Sequence, residues 1–72
     1  MEPDLIFAKR IQQLRKERGL TQKELGDEVD LSQKAISTIE SGFRTTTFEK
    51  LVLLAKFFDV STDYLLGLKD EP

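Results

Sequence analysis

A cluster of hydrogen-bonding side chains lies near the middle of the chain. On a helix, the apolar residues around position 36 would face the core, and the polar residues would fall on or around the opposite face; these are Gln33, Lys34, Ser37 and Thr38. Glutamine can pair with adenine, lysine with guanine and a hydroxyl with several bases, so such a face could read base edges. The alternative is that these residues form only the solvated side of a surface helix.

The composition removes most routes to catalysis. The chain has neither histidine nor cysteine. Histidine is the commonest general base and metal ligand, and cysteine supplies the thiolate that binds metals or acts as a nucleophile. Its carboxylates are predicted to face solvent, and it has no glycine-rich phosphate loop and no metal-ligand spacing. We therefore expect a protein that is not an enzyme and that holds no metal and no cofactor.

Length and charge indicate one small domain. The 72 residues form a single unit, with an expected core at about 4–67 and a loose tail at 68–72. The net charge of −2 disfavours non-specific nucleic-acid binding. The cations are unevenly placed, however, and these lie in the first third: Lys9, Arg10, Arg15, Lys16, Arg18 and Lys23. A molecule polarised in this way can still present a positive face to phosphates.

No targeting or membrane signal is visible in this sequence. No stretch approaches the ~20 apolar residues that cross a bilayer, and no basic region precedes an apolar run at the N-terminus. We expect a soluble, cytoplasmic protein with no membrane contact.

Capping residues predict where the first two helices begin and end. Asp4 can begin the first helix, which should run to about residue 18 and stop at Gly19. Thr21 and Glu24 form a capping box, which opens a second helix that should end near residue 28 or 29.

Three further helices are predicted after these. Ser32 can cap a third helix, which should end at residues 40–42. Thr46 or Thr47 can cap a fourth helix to about residue 58, and Thr46 with Glu49 would form another capping box. Ser61 can cap a short fifth helix over residues 62–66. The predicted fold is a compact, all-α, five-helix bundle, in which the second and third helices form a helix-turn-helix.

Four segments of the sequence resemble the phage repressor and Cro family, also called the Xre family. They occur in one register at residues 11–15, 19–25, 36–42 and 59–66. The resemblance covers most of the chain and implies a lambda-repressor-like fold, in which the third helix enters the DNA major groove. It therefore favours the interpretation that the polar face of the third helix binds double-stranded DNA, and disfavours the alternative that this face is only solvated.

The resemblance also implies roles for single residues. The base-contacting set would be Gln33, Lys34, Ser37 and Thr38, and the phosphate contacts would be Thr21, Gln22, Ser32, Ser41, Arg44 and Arg15. The N-terminus of a helix suits a phosphate because its free amides and dipole are positive. Arg15 and Glu40 resemble an ion pair that joins the first helix to the end of the third, and the alternative for Glu40 is an ordinary exposed acid.

The sequence departs from the family pattern at three places. Asp30 stands in the joint where members usually carry glycine, and aspartate tolerates positive φ better than most residues. Gly26 replaces the usual alanine, which permits close packing but costs up to ~1 kcal/mol of helix propensity. The loop before the fourth helix has Arg44 as its one cation, which predicts a shallow dependence of binding on salt.

The fourth helix carries an apolar pair outside its main apolar face. The main face is predicted to form core, and comprises Phe48, Leu51, Val52, Leu54, Ala55 and Phe58. Leu53 and Phe57 fall on the opposite side, four residues apart. They could form a subunit or partner surface, or the N-terminal residues Leu5 and Ile6 could fold over them. The resemblance places a dimer contact near Thr62, Asp63 and Tyr64, which Phe57 could extend.

The favoured hypothesis is a dimeric, sequence-specific transcriptional regulator, most simply a repressor that occupies a palindromic operator. A second is the antitoxin of a toxin–antitoxin pair or the controller protein of a restriction–modification system. A protein partner, such as a toxin or RNA polymerase, is compatible with both. A third is an interaction module that has lost DNA binding, for which the acidic balance and the sparse loop cations are the only support.

Overall fold

The computed structural model describes the backbone of residues 3–72 and the side chains of residues 5–72. Within that part, five helices and no strand occur: α1 (Pro3–Glu17), α2 (Gln22–Val29), α3 (Gln33–Glu40), α4 (Phe48–Phe58) and α5 (Thr62–Leu65). The predicted all-α architecture is confirmed. Helix α1 already includes Asp4, so Asp4 lies in the first turn and not before it; its side chain is outside the described part.

Hydroxyl side chains begin each helix from α2 to α5. The side chains of Thr21, Ser32, Thr47 and Ser61 each accept a hydrogen bond from the backbone amide three residues later. Such a bond satisfies one of the amides that the first turn of a helix leaves unpaired. At α2 the reciprocal bond from the Thr21 amide to Glu24 completes the predicted capping box.

The second predicted capping box, between Thr46 and Glu49, is wrong. Thr47 is the cap of α4, and its hydroxyl oxygen accepts from the amide of Lys50 at 3.2 Å. The residue three places after the cap is therefore a lysine, which has no acceptor to offer the cap's backbone. The Lys50 ammonium group instead donates a hydrogen bond to the carbonyl oxygen of Val29 at 3.0 Å, and so satisfies a carbonyl at the C-terminal end of α2.

Two aspartates end α2 and α4 in the left-handed conformation. Asp30 has φ 57° and Asp59 has φ 56°. Their backbone amides donate to carbonyls of the last helical turn, on Gly26 for Asp30 and on Ala55 and Lys56 for Asp59. This geometry turns the chain sharply between helices. The positive φ that the sequence suggested for Asp30 is present.

The core draws side chains from all five helices. Its buried members are Phe7, Ile11, Leu25, Val29, Ile36, Ile39, Leu54, Ala55, Phe58 and Leu65. The prediction that Phe48 belongs to the core is wrong, because its side chain is 79% exposed. Phe48 is the first residue of α4, and side chains on a helix tilt toward its N-terminus. The following turns of α4 therefore do not cover the ring.

The C-terminal segment, expected to be a loose tail, is attached to the domain. Arg10 donates to the carbonyl oxygens of Tyr64 and of Lys69, the latter at 2.7 Å. The amide of Ser61 donates to the carbonyl of Pro72 at 3.0 Å. The Arg10 guanidinium also lies 4.1 Å from the centre of the Tyr64 ring. These contacts tie residues 69–72 to α1 and α5.

Candidate DNA interface

The joint between α2 and α3 is tight because Gly26 allows a close backbone approach. A Cβ atom on residue 26 would lie 2.3 Å from the carbonyl oxygen of Leu31. The amide of Leu31 also donates to the carbonyl of Gly26 at 2.8 Å. Gly26 is therefore required by the geometry of the joint. This contact fixes how α3 projects from α2.

An ion pair fixes α3 against α1. The Arg15 Nε and Nη2 atoms donate to the two carboxylate oxygens of Glu40 at 2.6 and 2.9 Å. The side chains are only 11% and 2% exposed, respectively. The hydrogen bond to Glu40 raises the pKa of Arg15 above its ordinary value; desolvation opposes this and the attraction of the carboxylate adds to it. The two-pronged geometry gives the pair a defined orientation.

Arg15 and Glu40 also form hydrogen bonds with residues at or just before the start of α2. Arg15 Nη1 donates to the carbonyl oxygen of Leu20 at 2.8 Å, and the Gln22 side-chain amide donates to Glu40 at 3.3 Å. All three guanidinium nitrogens thus have protein partners. Arg15 is held as a structural residue, and its capacity for a phosphate is reduced to the remaining hydrogens on Nη1 and Nη2.

The predicted base-contacting residues lie together on α3. Gln33, Lys34 and Ser37 are exposed, whereas Thr38 is half-buried. The Thr38 hydroxyl donates to the carbonyl oxygen of Lys34 at 2.9 Å. Its hydrogen is therefore engaged within the helix, and Thr38 offers its methyl group and oxygen lone pairs to a ligand. The buried residues Ile36 and Ile39 anchor the opposite face of α3.

The N-terminus of α2 combines free backbone amides with one acidic side chain. Thr21 accepts from the amide of Glu24 at 3.1 Å, while the Glu24 carboxylate accepts from the amide of Thr21 at 2.9 Å. The Thr21 hydroxyl hydrogen and the amides of Gln22 and Lys23 remain suited to a phosphate oxygen. Glu24 already brings negative charge to this end of the helix, which weakens its attraction for an anion.

The remaining predicted phosphate contacts flank α3. Ser32 uses its hydroxyl oxygen to cap α3, accepting from Ala35 at 3.0 Å. Ser41 donates to the carbonyl of Thr38 at 2.7 Å and accepts from the amide of Phe43 at 3.2 Å. Both hydroxyls therefore hold the backbone of α3. Arg44, in the following loop, is exposed.

A shallow groove of about 530 Å³ separates α3 from the loop that follows it. Its lining is Leu31, Ser32, Lys34, Ala35, Thr38, Ile39, Phe43, Arg44, Thr45 and Thr46. Phe43 is 76% exposed, and no role for it is predicted from the sequence. The signal that could have identified it is an aromatic residue in an otherwise polar loop beside the predicted recognition helix.

The predicted dimer or partner surface is partly covered by the protein itself. Leu53 is 42% exposed, but Phe57 packs against the core, edge-on to Phe58 at 5.1 Å between ring centres. The Arg18 guanidinium lies 5.2 Å from the centre of the Phe57 ring. Thr62, Asp63 and Tyr64 are half-buried, and the Tyr64 ring carries the Arg10 guanidinium described above.

The alternative cover for this surface is not supported. A Cβ atom on Gly42 would lie 2.6 Å from the Leu5 side chain, and one on Gly67 would lie 2.8 Å from the Ile6 side chain. Leu5 and Ile6 thus pack against the ends of α3 and α5. Leu53 remains the most exposed member of the predicted surface.

In the described part of the chain, no helix is long and apolar enough to cross a membrane. The same residues contain no group of three or more acidic side chains placed to hold a metal ion.

Comparison with known proteins identifies the family. A helix-turn-helix family model matches residues 11–65, and the chain therefore belongs to the helix-turn-helix family, as the resemblance to phage repressors predicts. Its relatives are transcriptional regulators and not enzymes. One is the uncharacterized HTH-type transcriptional regulator YobD of Bacillus subtilis, which is 36% identical over 67 residues, covering 93% of this chain and 60% of the relative.

Solved structures of similar fold support the same family assignment. The P22 c2 repressor, solved in complex with a synthetic operator, has a TM-score of 0.83 at 35% identity, over 88% of this chain and 96% of that chain. The restriction-modification controller protein C.AhdI from Aeromonas hydrophila has a TM-score of 0.77 at 26% identity, over 86% and 94% of the two chains. The chain spans 60% and 52% of the length of two curated Bacillus relatives.

Proposed function

We propose that this protein is a cytoplasmic, sequence-specific regulator that binds double-stranded DNA as a dimer and represses transcription from a palindromic operator. In this proposal α3 lies in the major groove, and the side chains that read bases are Gln33, Lys34, Ser37 and Thr38. The observation that carries it is the exposure of Gln33, Lys34 and Ser37 together on a helix whose other face is anchored in the core.

The phosphate contacts are proposed on both sides of that helix. The N-terminus of α2 supplies Thr21 and Gln22 on one side, and the loop after α3 supplies Arg44 on the other. Ser32 and Ser41 contribute their remaining hydrogen-bonding capacity, and Arg15 acts mainly by holding Glu40. With few cations at the interface, affinity for random DNA is low, and specific binding depends on base contacts.

The test of base contact is Gln33→Ala, measured on the operator recovered by selection and on random DNA. A bidentate contact to a base discriminates by about 1–3 kcal/mol, so we expect at least a fivefold loss on the operator and little change on random DNA. The matched control is Gln13→Ala, an exposed glutamine on α1 that bonds Glu17 at 3.3 Å. Equal losses on both DNAs would remove Gln33 from the base-contacting set.

Dimerisation is proposed because one recognition helix contacts too few base pairs to define a site in a genome. Two copies related by a twofold axis would place their helices about 34 Å apart, one turn of DNA. The proposed contact surface is Leu53 with Phe57, Thr62, Asp63 and Tyr64. Its exposed centre is Leu53, because Phe57 packs partly into the domain.

The dimer is tested by sedimentation of Leu53→Glu with and without operator DNA. We expect this variant to shift toward monomer and to lose cooperative binding of the two half-sites. Leu68→Glu is the matched control, since Leu68 is 73% exposed and lies in the C-terminal segment. A sedimentation profile unchanged from wild type would remove Leu53 from the interface. Phe57→Glu is less informative because it would also disturb the core.

A second candidate function is that of a restriction–modification controller protein. It is favoured by the similarity to C.AhdI, which extends over 94% of that chain. Both functions would use the same DNA-binding surface, and the adjacent gene distinguishes them. A restriction endonuclease or methyltransferase gene beside this one would favour the controller, and a toxin gene would favour an antitoxin.

A further inference from the structure

We infer that the groove between α3 and the following loop reads the C5-methyl group of a thymine, with Phe43 as its outer wall. This inference rests on the proposed function, because it assigns a second means of sequence recognition to the same interface. It adds Phe43 and Ala35 to the residues that determine specificity.

The lining of the groove has the chemistry that a methyl group requires. Ala35, Thr38 and Phe43 line it together with the apolar side chains of Leu31 and Ile39. Alanine, the threonine methyl and phenylalanine are the side chains that make apolar contact with thymine in the major groove. Lys34, Phe43 and Arg44 at this groove are exposed to solvent.

The orientation of Thr38 supports an apolar role. Its hydroxyl donates to the carbonyl oxygen of Lys34 at 2.9 Å, which engages the hydrogen that would otherwise contact a base. The Lys34 carbonyl thus holds the threonine in one rotamer. A side chain restrained in this way pays little additional conformational entropy on binding.

The backbone of Phe43 is fixed although its ring is exposed. The ring is 76% exposed, yet the amide of Phe43 is held by the Ser41 hydroxyl at 3.2 Å. The backbone that carries the ring is therefore anchored to the end of α3. Arg44 also lines the groove, and its positive charge favours the phosphate that flanks a base lying there.

The experiment replaces each thymine of the selected operator in turn by deoxyuridine, which lacks only the C5-methyl group. We expect one thymine per half-site whose replacement weakens binding about fourfold, the value for burial of one methyl group. Replacing the base at that position by 5-methylcytosine, with guanine opposite, should bind more tightly than cytosine by a similar factor. An operator with no such position would overturn the inference while leaving DNA binding itself intact.

A variant series assigns the effect to the groove. Phe43→Ala should reduce the thymine-to-uracil ratio to below about twofold, and Phe43→Leu should restore most of it, because an apolar wall is restored. Phe48→Ala is the matched control: Phe48 is 79% exposed but does not line the groove. In Phe48→Ala the thymine-to-uracil ratio should stay at the wild-type value.

Three outcomes would contradict the assignment to Phe43. The first is an unchanged ratio in Phe43→Ala, which would place thymine recognition elsewhere. The second is an equal loss of affinity for all sequences, which would make Phe43 a backbone contact. The third is a shift of Phe43→Ala toward monomer with the ratio preserved, which would make the groove a contact between two copies of the chain.

Discussion

Replacing the two left-handed aspartates by glycine should stabilise the domain. Asp30 and Asp59 end α2 and α4 with φ of 57° and 56°. The left-handed conformation costs a residue with a side chain roughly 1 kcal/mol relative to glycine. A carboxylate at a helix C-terminus adds about 0.3–1 kcal/mol of unfavourable interaction with the dipole. Glycine also makes the unfolded chain more flexible, which lowers the free energy of unfolding by about 0.4–1 kcal/mol and offsets part of the gain.

The balance differs between the two positions. For Asp59→Gly the expected gain in the free energy of unfolding is about 1 kcal/mol, or roughly 4–8 °C in Tm for a domain of this size. For Asp30→Gly it is about 0.5 kcal/mol, because the carboxylate lies 3.9 Å from the Lys50 ammonium group. That pair is exposed on the aspartate side and contributes little. Lys50 keeps its bond to the Val29 carbonyl in the variant.

Thermal unfolding and urea titration of both variants measure these gains. DNA binding then separates the two positions: Asp30 lies in the turn before the proposed recognition helix, so its removal should strengthen DNA binding about twofold to fivefold at low salt. Asp59, at the end of α4, should leave DNA affinity unchanged. A loss of stability above about 0.5 kcal/mol in both variants would refute the conformational reasoning.

Three other changes test the interactions that hold and use α3. Glu40→Gln leaves the buried Arg15 charge without its partner and should cost about 3–5 kcal/mol in urea unfolding; a change below about 1 kcal/mol would contradict the role of the pair. Gly26→Ala should destabilise by about 1–3 kcal/mol despite its better helix propensity, since its Cβ would overlap the Leu31 carbonyl; a more stable variant would contradict it. Arg44→Ala should weaken binding to all DNA sequences equally and reduce the salt slope by about 1, whereas a loss confined to the operator would make Arg44 a base contact.

The elements of this fold could be predicted because each begins at a side chain whose chemistry acts locally. Thr21, Ser32 and Ser61 are each followed by an apolar run and cap helices as expected. The fourth helix was ambiguous because adjacent threonines offer the same hydroxyl. In the structure Thr47 is the cap, and Lys50, three residues later, contacts the end of α2, a tertiary contact that local spacing does not indicate.

Errors arose where a residue's environment depends on the end of an element. Phe48 has the right helical phase for the core but precedes the part of α4 that is covered. The C-terminal segment looked unattached because its partner, Arg10, lies about sixty residues earlier in the chain. No local pattern reports such a contact.

The exposure of most side chains in the candidate site could be predicted, but their hydrogen bonding could not. The sequence placed Gln33, Lys34 and Ser37 on one exposed face, and the structure has them exposed there. It could not indicate that the Thr38 hydroxyl is bonded within the helix, nor that Phe43 would form the wall of a groove beside it. Both follow from side-chain conformation, which spacing does not determine.

The most direct test of the central claim is a selection from a random pool of double-stranded DNA at roughly physiological salt, about 150 mM, followed by sequencing of what the protein retains. We expect a palindrome whose half-sites lie about one helical turn apart. A folded protein that retains no enriched sequence would contradict it.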